Sequence, residues 1–322
     1  MTKHQKLGKK NYSNMTKVSY VCPVFNKIKY LEDVLSSIEN QIGDFDKEYI
    51  FINDGSTDGS LDFLKTRTSK WKNKFILNQN NQGPAVATQV GISIANGDYI
   101  KLVGGDDVMS PFCSEILLET IVKTNAVAAF SSYKLLKNFN DIYHEKNTVD
   151  KIKTIREPLF ETVKSCFSGT TPNLYCNTAI KKSDGCNVKI FIEDFSLVLE
   201  LSKLGSFSFI ENTTSYGPID DESRIMVGKK TQLTHDYNAA LYYFLKKNIN
   251  IDKKISKVAC LKSLGRAEKW YRREMGKTKL NKMNLHKIFL FLGRKDYLNL
   301  IKESCMFFYT HSDRDSIRYR IK

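Results

Sequence analysis

Three short acidic segments have the residue types and neighbours that chemistry on a charged substrate requires. Asp54 lies in Asn53-Asp54-Gly55-Ser56-Thr57-Asp58-Gly59-Ser60, a dense run of turn-forming residues that follows an apolar stretch. Asp106 and Asp107 lie in Gly104-Gly105-Asp106-Asp107, again directly after an apolar stretch. Hard carboxylate oxygens in such a turn suit Mg2+ or Mn2+, and such a cation neutralises charge that develops on a phosphate leaving group. Glu193-Asp194 closes the apolar run Phe191-Ile192. A carboxylate desolvated by that run, with a second acid beside it, is pushed toward neutral pH, where it can take a proton from a hydroxyl as a general base.

The elements around these turns are expected to bring them to one rim. Residues 18–24, 48–52, 75–77, 98–103 and 126–133 are β-rich runs, which the pattern predicts as strands. Between them, Leu31, Val34, Leu35 and Ile38 follow the i, i+3, i+4, i+7 helical template, and Leu61 and Leu64 open a second helix. Gly83-Pro84 opens a third helix, which stops at Asn96-Gly97, and Pro111 opens a fourth. Strands alternating with helices predict an α/β fold built on an open, doubly wound, mostly parallel sheet. Ligands of such sheets collect at the carboxyl ends of the strands. Asn26 and the turns at Asp54 and Asp106 fall there. Residues 134–190 are less regular and include the loop Gly169-Thr170-Thr171-Pro172-Asn173; beyond Asp236 the chain reads as helical and basic.

Composition narrows the class. The 322 residues are 41% hydrophobic and 26% charged, as in a globular protein, and no stretch approaches the roughly 18 apolar residues of a membrane span. Residues 1–17 are Lys-rich without an apolar core, so no secretory signal is expected, and two locations are expected: free in the cytoplasm, or peripheral on the cytoplasmic membrane. Seven cysteines without CxxC spacing predict reduced thiols and no zinc site. The formal charge of +15 is concentrated at the ends: residues 246–322 carry a net +14 and residues 1–17 a net +5, which leaves the middle slightly acidic. Basic ends around an acidic core suggest a polyanionic contact such as an anionic membrane surface. No recognisable nucleic-acid-binding motif accompanies the charge.

Taken in order, Pro23-Val24-Phe25-Asn26, Ile52-Asn53-Asp54-Gly55-Ser56-Thr57-Asp58, Asn81-Gln82-Gly83, Ala95-Asn96-Gly97-Asp98-Tyr99 and Asp106-Asp107 with Pro111 resemble the nucleotide-binding half of family 2 glycosyltransferases of the GT-A fold. Glu193-Asp194, with Leu197 and Leu201-Ser202-Lys203-Leu204-Gly205, is similar to the acidic acceptor-site motif of that family. The resemblance implies an inverting transfer of sugar from a nucleoside diphosphate sugar, UDP-sugar favoured, to a hydroxyl of a growing surface glycan such as lipopolysaccharide or capsule. It implies Mn2+ or Mg2+ as cofactor. Carried over, Pro23, Val24, Phe25 and Asn26 wall the nucleobase pocket, Asp54 bonds the base, and Ser56, Gly83 and Gly105 line the nucleotide site. Asp106 binds the metal and through it the diphosphate, with His235 a further candidate metal ligand. Asp194 is the general base and Glu193 its partner on the acceptor. Asp107 and Arg224 face acceptor or diphosphate. The implied organisation is a basic extension over 1–17, a catalytic domain over 18–240 with halves at 18–111 and 112–240, and a helical basic region over 241–322.

This sequence departs from the family pattern in four places. Gly104 stands where the family has an Asp, Thr88 where it often has an Arg, and Asn53 where Asp is common; Tyr216-Gly217-Pro218-Ile219 replaces the usual Tyr-Arg-x-His. These departures keep two alternatives in view: an inactive relative that binds nucleotide sugar or glycan, and, less favoured, a nucleic-acid binder.

Overall fold

A computed structural model describes residues 15–142, 149, 151–167, 169, 171–219, 229–276, 281–312 and 317–321. Its central feature is a sheet of nine strands among those residues. One half is parallel, in the order β3-β2-β1-β4, formed by β1 (Lys17–Val24), β2 (Asp46–Asn53), β3 (Lys74–Asn78) and β4 (Tyr99–Leu102). The helices between them are α1 (Leu31–Glu39), α2 (Ser60–Arg67) and α3 (Pro84–Ile94).

The alternation along β1 explains why helices cover both faces. Val18, Tyr20, Cys22 and Val24 point to one face and pack on Leu31, Val34, Leu35 and Ile38 of α1, together with Cys113, Ile116 and Leu117 of α4 (Cys113–Thr124). Val21 points to the other face and joins Ile50 and Ile52 of β2 and Ala87 and Ile92 of α3. Gly91 lets α3 come this close, because a Cβ there would stand 2.4 Å from Cγ1 of Val21. A parallel sheet buried on both faces is the doubly wound arrangement.

The second half of the sheet is mixed. The short β5 (Val108–Met109) follows the Asp106 turn, and β6 (Ala128–Leu136) follows α4. The expected strand at 126–133 is this β6, three residues longer at its end, but it does not lie beside β4. The strand β8 (Asn173–Cys176) inserts between them, antiparallel to both. A buried lysine fixes that insertion: Lys101 of β4 gives its ammonium to the carbonyls of Thr171 and Asn173, while the amide of Leu102 donates to Asn173 Oδ1 at 3.2 Å. The long β9 (Phe207–Pro218) runs parallel to β6 and antiparallel to β5 and β7 (Ile152–Ile155). Connecting helices are α5 (Leu159–Lys164), α6 (Asn177–Lys182) and α7 (Glu193–Leu201), and α7 sets Leu197, Val198 and Leu201 against the Val21 face.

Four further helices, α8 (Lys230–Lys247), α9 (Lys253–Met275), α10 (Lys282–Phe291) and α11 (Tyr297–Tyr309), share a separate core. Four aromatics of this region pack in pairs: Trp270 meets Phe308 at 4.7 Å and Tyr271 meets Phe307 at 5.2 Å between ring centres. Ile190, Phe191, Ile192 and Phe195 belong to the same core, so the acidic pair between them is seated on these helices. All seven cysteines are free. No helix among the described residues is long and apolar enough to cross a membrane.

Candidate active site

The carboxyl ends of β1 and β2 are zipped together by short polar side chains. Asn26 takes a left-handed backbone conformation (φ 51°), which an asparagine tolerates better than most residues. Its amide donates to Ser56 Oγ at 3.0 Å, and its side-chain oxygen accepts from the amide of Thr57 at 2.8 Å. The amides of Lys27 and Ile28 donate to Ser60 and Asp58. Asn26 and Ser56 therefore brace the two loops. Val24, also assigned to the nucleotide, faces the core instead, because β1 alternates and its even positions point to α1. Phe25 stands out of this frame, 40% exposed, and offers an apolar wall beside Pro23.

Asp54 is 3% exposed and organises the neighbouring loop. Its Oδ1 accepts from Gln79 Nε2 and the amide of Gln82, and its Oδ2 from the amide of Gly83, each at 2.8 Å. Before any contact to a base, then, this carboxylate has a structural role. It satisfies two amides at the start of α3, a helix whose N-terminus also favours negative charge.

At the end of β4 the two aspartates have different environments. Asp107 is buried and accepts from Tyr133 Oη at 2.8 Å and Thr171 Oγ1 at 2.6 Å; Thr171 Oγ1 in turn accepts from the amide of Gly104 at 2.9 Å. Both oxygens of Asp107, expected to face acceptor or diphosphate, are drawn inward to hold the turn. The same packing accounts for two departures noted in the sequence. A Cβ at Gly104 would lie 2.8 Å from Oδ2 of Asp107, and one at Gly217 would lie 1.7 Å from Tyr133 Oη. Glycine at both positions leaves room for this brace.

Asp106 takes a different partner. Its carboxylate meets the ammonium of Lys27 at 2.6 Å, and both side chains are largely shielded from water. Gly105 lies under that pair, since a Cβ there would touch Lys27 Cγ at 3.0 Å. Among the described residues no group of three or more His, Cys, Asp or Glu could cage a metal. Asp106 fits a different mode, in which a small divalent cation takes one carboxylate and completes its shell with phosphate oxygens and water. The Lys27 ammonium occupies the same carboxylate and would have to give way.

The third acidic segment begins α7. Glu193 is buried and Asp194 half-buried, with Asp194 Oδ1 accepting the amide of Phe195 at 2.7 Å. Burial raises the Asp194 carboxyl to about 6, and the amide of Phe195 partly opposes that rise. Desolvation by the apolar run is the largest cause of that rise. Tyr237 of α8 packs on Phe195 at 5.2 Å between ring centres, and its phenol is pushed up by burial and then by the negative charge of Asp194. Arg266 of α9 lies over the Tyr237 ring at 5.3 Å, its guanidinium pushed down by burial.

His235 is not on this rim. It is fully buried between α8 and α11, Nδ1 against Asp236 at 2.6 Å and Nε2 against Tyr309 Oη at 2.9 Å, so neither nitrogen is available to a metal. Arg224 lies outside the described residues.

A contact joins the 79–83 loop to the acidic segment, and no pattern in the sequence signalled it. At Gly83 a Cβ would meet Tyr319 Oη at 2.8 Å and Phe191 Cδ2 at 3.8 Å. The loop that holds Asp54 and the segment that leads into Asp194 therefore converge. Lys27, Thr171 and Tyr133 were likewise missed, because their roles come from partners 26 to 79 residues away.

Comparison with known proteins gives the same frame. A family profile described as Glycosyl transferase family 2 matches residues 19–198, more than half of the chain. An uncharacterized glycosyltransferase of Rickettsia bellii is 29% identical over 211 residues, covering 63% of this chain and 30% of that protein. A poly(ribitol-phosphate) beta-glucosyltransferase of Bacillus spizizenii is 37% identical over 105 residues, 32% of this chain and 16% of that protein. The chain thus spans less than half the length of these curated relatives. Among solved structures, S. aureus TarS 1-349 in complex with UDP aligns with a TM-score of 0.62 over 90% of this chain and 81% of that one, at 15% identity. The mannosyltransferase PcManGT of Pyrobaculum calidifontis, solved with GDP-Man and Mn2+, aligns with a TM-score of 0.56 over 92% of this chain and 87% of that one, at 12% identity. At such identities the likeness shows the fold alone.

Proposed function

Because this chain belongs to glycosyl transferase family 2, we propose that it transfers a sugar from a nucleoside diphosphate sugar, a UDP-sugar first, to a hydroxyl of a bacterial surface glycan, with inversion at the anomeric carbon. The observation that supports this reading is the approach of Tyr319 and Phe191 to Gly83, which brings the segment leading into Asp194 against the loop that holds Asp54. Phe25 and Pro23 flank the base, and Asp54 holds the 79–83 loop against it. Asp106 faces the diphosphate. A divalent cation shared between Asp106 and the diphosphate would supply charge neutralisation for the departing nucleotide; PcManGT, solved with Mn2+, supports that choice. Asp194 takes the proton of the acceptor hydroxyl as it attacks, and Glu193 orients that hydroxyl. Residues 18–111 then act as the donor half and 112–240 as the acceptor half, with 241–322 as a helical support.

Thermal unfolding in a panel of UDP, GDP and their sugars with Mn2+ tests the donor. A nucleotide at 100 times its Kd stabilises the folded chain by about 2.7 kcal/mol, so the true donor is expected to raise Tm by several degrees. A flat response to every nucleotide would sink the reading.

The acceptor side favours an anionic, surface-linked glycan. The poly(ribitol-phosphate) glucosyltransferase among the relatives has, by its name, a phosphate-bearing and so anionic polymer as acceptor, and the net +14 of residues 246–322 complements one. The helix α10 adds an apolar face. Met283, His286 and Leu290 face inward, whereas Leu285, Ile288, Phe289 and Leu292 recur at i, i+3, i+4, i+7 on the exposed side, with Phe291 78% and Leu292 76% exposed. Lys282, Lys287, Arg294 and Lys295 adjoin this stripe in sequence, the first three paired with Glu303, Glu268 and Asp296. An apolar stripe beside basic residues suits the interface of an anionic bilayer, where each base not offset by an acid adds about 1 kcal/mol. The chain is therefore expected to pellet with phosphatidylglycerol vesicles and not with phosphatidylcholine vesicles, and a Phe289→Ser, Leu292→Ser variant to stay in solution. Equal partitioning onto both lipids counts against this placement.

A further inference from the structure

We propose that Arg318 and Tyr319 are positioning residues for the donor nucleotide, acting as a strap that fixes the 79–83 loop around Asp54. The inference rests on the donor-site reading above and adds residues that no family motif supplies.

The strap grips the loop by its main chain. Arg318 gives Nη1 to Asn81 Oδ1 at 2.8 Å and Nη2 to the carbonyl of Asn81 at 2.9 Å, and Tyr319 Oη donates to the carbonyl of Gln82. The amides of Gln82 and Gly83 already point at Asp54. The peptide between them is thus held from both sides, its N–H by the aspartate and its carbonyl by the tyrosine. Gly83 has φ 95°, a conformation that favours glycine, and the Tyr319 hydroxyl seats directly over it. A side chain at position 83 would be excluded both by the backbone and by Tyr319.

The other end of the strap is anchored in the helical core. The amide of Arg318 donates to Gln232 Oε1 at 2.5 Å and that of Ile321 to Tyr309 Oη at 2.6 Å, while the side chains of Ile317 and Ile321 are buried. Gln232 and Tyr309 belong to one buried polar cluster: Gln232 Nε2 donates to Asp236 Oδ1 at 2.8 Å, and His235 joins Asp236 to Tyr309. Asp236 also accepts the amide of Phe191 at 2.6 Å, three residues before Asp194. A single buried carboxylate therefore registers the strap, and through it the nucleotide loop, against the segment that carries the general base. Buried groups this fully paired hold one arrangement rigidly, which is what positioning demands. The otherwise puzzling pair His235–Asp236 finds its use here, as an anchor.

The test uses the full chain and two readouts. Hydrogen exchange at the amides of Gln82 and Gly83 reports the loop directly, and kinetics with the donor found in the nucleotide panel, together with titration by UDP, report its consequence. Arg318→Ala, which loses two hydrogen bonds to Asn81, and Tyr319→Phe, which loses one to Gln82, are each expected to speed exchange over 79–83 and to raise the donor KM and the Kd for UDP severalfold, more in the arginine variant, with kcat unchanged; Arg318→Lys recovers part of the affinity. Tyr319→Phe removes a single oxygen and serves alone if Arg318→Ala fails to fold. Exchange over 79–83 as slow in both variants as in the parent overturns the strap, as does a fall in kcat with KM unmoved. Faster exchange in chains whose parent binds neither UDP nor GDP leaves the loop contact standing and fails the donor reading instead.

Discussion

Replacing Asp194 by asparagine is expected to lower kcat by about 10²–10⁴, the usual worth of a general base, and to leave UDP binding intact. The substitution keeps size and shape at the start of α7 and still offers an oxygen to the amide of Phe195, so the fold has no reason to change. A pH profile separates lost chemistry from lost structure. With the Asp194 carboxyl raised to about 6 by burial, activity is expected to climb with pH below about 6 and to level off above it. Asp194→Asn removes that limb. Stability moves the opposite way. Between the ordinary carboxyl value of 3.8 and about 6 the unfolded chain ionises Asp194 while the folded chain keeps it protonated, so the folded state loses ground as pH rises through that window. The asparagine variant is therefore expected to melt slightly above the parent at neutral pH. Near-normal turnover in Asp194→Asn beside an inactive Glu193→Gln would mean that the two acids have exchanged roles.

The second large effect is expected at Asp106. Asp106→Asn removes the one carboxylate proposed to face the diphosphate. Loss of a preorganised charge partner for a leaving group costs on the order of 10²–10³ in kcat, and Mn2+-dependent UDP binding is expected to disappear with it. The variant also neutralises the carboxylate that Lys27 meets at 2.6 Å, and the double variant with Lys27→Met is expected to lose no more UDP affinity than Asp106→Asn alone if Lys27 serves Asp106 only. Full activity of Asp106→Asn in the presence of a chelator contradicts the assignment.

Much of this site could be read from the chain, and the limits of that reading have physical causes. The parallel half was legible because each of its strands and helices has its own periodicity, and the acidic turns sit at fixed places relative to those strands. Asp107 shows where such reading stops. Next to Asp106 in sequence, it looks equivalent, yet Tyr133 and Thr171, both far along the chain, draw it inward. His235 misled for the same reason, since burial and pairing with Tyr309 depend on helix packing that no local pattern encodes. β8 escaped notice because four residues, one of them Asn173, give no alternation to count. The strap was invisible for the plainest reason: its partners lie 237 residues away.

The placement of β8 has a bearing on how the chain is made. Synthesis delivers β1 to β4 first, and each crossover helix is local, so the parallel half can form early on the ribosome. β4, however, pairs with β8, whose residues emerge more than 70 positions later. Until then the nascent chain carries a bare strand edge, with the Lys101 ammonium lacking the carbonyls that later enclose it. An exposed edge is a template for wrong pairing, and long-range strand pairing is slow. A lysine in the middle of that edge is a natural guard, because burying its charge against a foreign strand is costly until Thr171 and Asn173 arrive to receive it.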